Sequence, residues 1–71
     1  MVEALDRVGL IRDIADTVAG YSANILDFSL LKRKDNVIQR QVVLETFDQE
    51  QFRKIINALS QVRNVLKVSK N

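Results

Sequence analysis

The chain has 71 residues, 46% of them apolar and 28% charged, with eleven Lys and Arg against nine Asp and Glu for a net charge of +2, and it has no proline, cysteine or histidine. A single domain of this size buries only about 60% of its unfolded surface, which favours a partner surface or a larger parent. Without cysteine there are no disulfides or thiolate metal sites, without histidine the commonest metal ligand and general base are gone, and a charge this small and mixed does not itself point to nucleic acid.

In chain order, "MVEAL" (1–5) is a short apolar run that predicts a mostly buried strand. From Gly9, apolar residues recur at Leu10, Ile11, Ile14, Ala15, Val18 and Ala19, with Arg12, Asp13, Asp16 and Thr17 opposite. That spacing predicts an amphipathic helix starting at Val8 or Gly9 and ending near Gly20 or Ser22. "ILDFSLL" (25–31) alternates Leu26, Phe28 and Leu30 against Asp27 and Ser29, and "VIQRQVVLETF" (37–47) sets Ile38, Val42, Leu44 and Thr46 on one side. Both read as strands, joined by "KRKDN" (32–36), in which Asp35 and Asn36 tolerate positive φ in a hairpin. Asp48 with Gln51 three residues on resembles a capping box, and the stripe Phe52, Ile55, Ile56 and Leu59 then turns a second helix toward the same core. "VLKVS" (65–69) closes the chain as a short strand.

The order β-α-β-β-α-β repeats itself: Asp6, a helix and "ANIL" (23–26) are followed by Asp48, a helix and "RNVL" (63–66). Two right-handed crossovers around a hairpin predict an α+β, ferredoxin-like sandwich, a four-stranded antiparallel sheet of order 4-1-3-2 with both helices on one face. Many unrelated functions use that architecture.

Chemistry finds few footholds. Ser22, Ser29, Ser60 and Ser69 have no histidine to activate them, Asp13 and Asp16 fall on the outer helix face as a solvated pair, and a lone Gly9 makes no phosphate cradle. No catalytic residue, metal or cofactor is expected. RNA-binding domains of this element order stack bases on aromatics of the two central strands, but "MVEAL" and "VIQRQVV" have none, and Lys32, Arg33 and Lys34 suit a solvated hairpin tip.

The stretches "DRVGLIRDIADTVAGYSANIL" (6–26) and "VVLETFDQEQFRKIINALSQVRNVLKVSK" (42–70) resemble an ACT domain over nearly the whole chain. The similarity lies in Asp6-Arg7 with Gly9-Leu10 at the first strand-to-helix junction, Asn24-Ile25 opening the second strand, and "LETFD" (44–48) leading into the second helix. Val8 stands where the family usually has proline and Ser22 where it usually has glycine. "GLIRDIA", "NI" and "VLETFD" are further similar to the C-terminal ACT domain of bifunctional GTP pyrophosphokinases, which make and destroy guanosine tetra- and pentaphosphate.

The resemblance implies a single regulatory domain (1–71), excised from or ending such an enzyme and without catalysis of its own. It implies an amino-acid ligand with its carboxylate on the helix start and its ammonium near Asn24, at a site of Asp6, Val8, Gly9, Leu10, Asn24 and Ile25 often closed by the second strand of another copy. Two other readings stand beside it: Gly9 packs the helix closely on the sheet and Asn24 caps a turn, or the domain has lost its ligand and docks on ribosome, tRNA or the catalytic domains of the parent. A homodimer through the second strand or the helices is expected, because that strand is a long apolar edge. With no signal pattern and no apolar run near the ~18 residues of a span, the expected location is cytoplasmic, with no membrane contact.

Overall fold

Val2 and Ala4 are buried and their neighbours Glu3 and Leu5 are not, so the first strand presents alternate residues to one core. The computed structural model describes residues 1–70; Asn71, the last residue of the expected domain, lies outside the described residues. The elements are β1 (Val2–Leu5), α1 (Leu10–Gly20), β2 (Asn24–Lys34), β3 (Val37–Glu45), α2 (Gln49–Ser60) and β4 (Val65–Val68). The sheet order is β2-β3-β1-β4 with every neighbouring pair antiparallel, the expected ferredoxin-like topology.

The core is Val2, Ala4 and Ile38 from the sheet, Leu10, Ile14 and Val18 from α1, Ala23 from the following turn, and Ile55 and Leu59 from α2. Ile55 and Leu59 thus lie on the stripe read from the sequence, with Phe52 and Ile56 half-buried on its flank. α1 is narrower than expected. It starts at Leu10, not at Val8 or Gly9, and Ile11 and Ala19 of the apolar set are exposed.

The strand ends carry the internal repeat into three dimensions. In β2, Ile25 pairs with Leu44 and Asp27 with Val43, which leaves Leu26 as an extra residue. In β4, Lys67 pairs with Glu3 and Val65 with Ala4, which leaves Leu66 in the same position of the second half. Each bulge turns the preceding Ile25 or Val65 and the later Phe28 or Val68 toward the core, and the leucine outward at 61% and 53% exposure. The expected alternation Leu26, Phe28, Leu30 is therefore broken: only Phe28 packs on the core, and a second bulge at Leu31 follows.

Candidate functional site

The β1–α1 junction is built by Gly9. Its φ of 84° is the left-handed region, and a Cβ there would meet only Arg7 Nη1 at 3.6 Å. Glycine is needed for its backbone conformation, and the alternative of close packing against the sheet has no contact to support it. Gly9 is the N-cap residue of α1 and no side chain caps the helix. The Leu10 N–H returns to the Arg7 carbonyl at 3.3 Å and the Asp13 N–H to that of Gly9 at 2.9 Å. Among the described residues the N–H groups of Ile11 and Arg12 have no partner, and they sit at the positive end of the helix dipole.

Two arginines hold this end in place. Arg7 Nη2 donates to Asp13 Oδ2 at 2.7 Å and to the Arg63 carbonyl at 3.1 Å, and Nη1 donates to the Val8 carbonyl at 3.1 Å. It clips the loop to the first turn of α1 and to the segment before β4. Arg33 near the end of β2 pairs with Asp6 at 2.9 Å, while the Asp6 N–H donates to the Asn36 carbonyl at 2.7 Å, so the hairpin is fastened to the start of the loop. Asp13 is accordingly no solvated bystander, as its place on the helical wheel suggests: Arg7, outside the helix, folds back to reach it.

Of the residues read as the site, Asp6, Val8, Gly9 and Leu10 share this end of the fold. Val8 is 99% exposed at the tip of the loop, whereas Leu10 is in the core with its N–H bonded to Arg7. Asn24 and Ile25 begin β2 beyond the other end of α1, an 11-residue helix about 16 Å long at 1.5 Å per residue. There Asn24 Nδ2 donates to Glu45 Oε1 at 3.2 Å and lines a hollow of about 160 Å3 with Ser22, Glu45, Thr46 and Phe47. Ile25 packs against the core. Sequence reading missed Arg7, Arg33, Ile11 and Arg12 as members of the site; the adjoining Asp6-Arg7 dipeptide was the signal available.

The fold is a ferredoxin-like sandwich whose first helix starts without a side-chain cap. The family model described as ACT domain matches residues 1–69, and the chain belongs to that family. ACT domains are regulatory rather than catalytic, and they generally bind small ligands and dimerise. No curated protein matches the chain. No helix among the described residues is long and apolar enough to cross a membrane, and no group of three or more acidic side chains there could hold a metal ion.

Proposed function

We propose that this ACT domain senses an amino acid, holding its carboxylate on the Ile11 and Arg12 N–H groups and its ammonium at Asn24 of a second copy. The observation that carries this reading is the open start of α1. Asp6 of the preceding loop and Asp13 of the first turn are each paired with an arginine of their own, which offsets their opposition to an incoming anion. Gly9 and Asn24 stand a helix length apart, too far for one amino acid to bridge within a copy. Antiparallel pairing of two β2 edges removes the distance, because it sets Asn24 of one copy beside the hairpin end of the other, where Arg33 holds Asp6. β2 is fitted for it: an edge of 11 residues exposing Leu26, Leu30 and Leu31, against four residues in β4.

The similarity of "GLIRDIA", "NI" and "VLETFD" to GTP pyrophosphokinases supports a parent of that kind, a cytoplasmic enzyme whose synthetase and hydrolase activities this C-terminal domain would control. Titration of the twenty amino acids into the domain, followed by amide NMR shifts, tests the ligand. One of them should move Gly9, Ile11, Arg12 and Asn24 together and saturably, and Asn24→Ala should weaken it about ten- to a hundredfold. A crowding variant needs Gly9→Asn, since asparagine tolerates the left-handed region and valine does not. If none binds at millimolar concentration, the domain serves docking instead.

A further inference from the structure

The chain has three phenylalanines, and two of them carry a cation of the chain itself. The Arg40 guanidinium of β3 lies over the Phe28 ring, 5.2 Å from its centroid, and the Lys70 ammonium lies over the Phe52 ring at 5.8 Å. Phe47 carries none among the described residues, and it is 84% exposed. The fold makes little use of this ring. Phe47 directly precedes Asp48, the N-cap of α2, at the position from which an apolar side chain often packs on the fourth residue of the helix. That residue is Phe52, half-buried under Lys70, and a Phe47 this exposed contributes no such packing.

The surroundings of the ring are nevertheless held in place. The Gln51 side chain accepts the Phe47 N–H and donates to the Tyr21 carbonyl at 2.6 Å, so one residue fixes the backbones of two exposed aromatic residues from distant parts of the chain. Tyr21 and Phe47 line a hollow of about 340 Å3 with Asp48, Glu50 and Lys54, and Glu45 lies with Phe47 in the smaller hollow beside Asn24. Three carboxylates thus stand around the ring against one ammonium, in a chain whose net charge is +2. Lys54 reaches only Glu50, at 3.9 Å, and neither Glu45 nor Asp48 forms an ion pair among the described residues. Aromatic faces attract cations, and a guanidinium suits them because it is planar, weakly hydrated and able to stack. We propose that the Phe47 ring, with Tyr21 and the Glu50 carboxylate, binds a guanidinium carried on a short apolar stem. The stem lies against the aromatic surface while the charge meets the ring face and the carboxylate. The site stands apart from the start of α1 and does not depend on the amino-acid reading above.

The test follows the amides of Tyr21, Phe47 and Gln51 in the intact chain while n-butylguanidinium chloride is added, with the uncharged isostere n-butylurea and sodium chloride as controls. Butylguanidinium should move these signals together and saturably at millimolar concentration, with Ile11 and Arg12 unmoved, while neither control does. Phe47→Leu keeps an apolar side chain and loses the ring face, and Glu50→Lys reverses a charge on an exposed position of α2. Each should bind butylguanidinium about three- to tenfold more weakly with its amide spectrum otherwise preserved. The peptide acetyl-Gly-Arg-Gly-amide, titrated in parallel, identifies the source of the guanidinium: tighter binding than butylguanidinium supports the site with an arginine of a partner protein as its occupant, and weaker binding supports it with a free small molecule. Amides indifferent to butylguanidinium, an equal response to butylurea, or undiminished binding by either variant would overturn the proposal. Such a failure leaves the amino-acid reading standing, since that is read separately at Ile11 and Arg12. Should a variant fail to fold, the wild-type titration with its butylurea control decides.

Discussion

α1 and α2 are 11 and 12 residues long and bury the same kind of apolar stripe, yet they begin in opposite ways. α2 closes its own start: Asp48, in extended backbone, accepts the Gln51 N–H at 2.8 Å, and the Gln51 side chain reaches back to the Phe47 N–H and across to the Tyr21 carbonyl. α1 has a glycine at the equivalent position and leaves its first turn open, with arginines arranged around it instead of a capping carboxylate. The two halves of an internally repeated chain thus differ at the helix start. A self-capped start contributes stability; an open one leaves its first N–H groups without an internal partner.

That contrast would mean little if α1 were simply the looser helix. Ile14 and Ile55 are comparably buried core residues, both at most 1% exposed, so Ile14→Ala and Ile55→Ala should each cost about 2–5 kcal/mol in chemical denaturation. An Ile14→Ala cost well under 1 kcal/mol would break the comparison, since an open start would then reflect a weakly held helix. The next effect in size belongs to Arg7. Arg7→Met removes the bonds to Asp13, Val8 and Arg63 and should destabilise by about 1–2 kcal/mol. Asp13→Ala should cost less, because its side chain is 48% exposed, and a double-mutant cycle should show the two coupled. Additive effects would remove Arg7 as the clip that shapes the open start.

At the start of α2, Asp48→Ala should cost about 1 kcal/mol, the usual loss of an N-cap side chain. It should leave amino-acid titration at α1 unchanged. A change in affinity on removing this cap would show that the two starts are not independent.

What could be read in the sequence follows the same division between local and non-local causes. The Asp48–Gln51 cap, the turn formers Asp35 and Asn36 within the expected connection 32–36, of which 32–34 prolong β2 instead, and the core placement of Ile55 and Leu59 each depend on residues within a turn or two along the chain. The bulges at Leu26, Leu31 and Leu66 depend on how a partner strand slips past, which alternation within one strand does not encode. Arg7 with Asp13 was hidden because a helical wheel orders residues inside the helix and is silent on the loop before it. Arg40 was half visible: the stripe Ile38, Val42, Leu44 and Thr46 skips one position of its period, and Arg40 occupies it.

The smallest prediction concerns the other end of α1, where the Ser22 N–H bonds to the Ala19 carbonyl at 2.9 Å and the Ala23 N–H to that of Val18 at 3.4 Å. This is a Schellman ending with Ser22 in the left-handed position at φ 61°, the place where the resemblance expects glycine. Gly20, two residues earlier, is helical and has open space where a Cβ would lie. Each residue thus occupies the backbone conformation the other suits. Ser22→Gly relieves a side chain held in the left-handed region, and Gly20→Ala removes the entropy of an unneeded glycine, so each should stabilise by about 0.5–1 kcal/mol. Thermal melts should show the gains adding roughly, to about 1–2 kcal/mol in the double variant. Because Asn24 follows Ser22 closely, amino-acid titration of the stabilised variant is informative as well. Unchanged affinity would mean that the ending of α1 only terminates the helix, as the cap at Asp48 only starts one, and would leave the open start at Gly9 as the end of a helix in this domain that answers to a ligand.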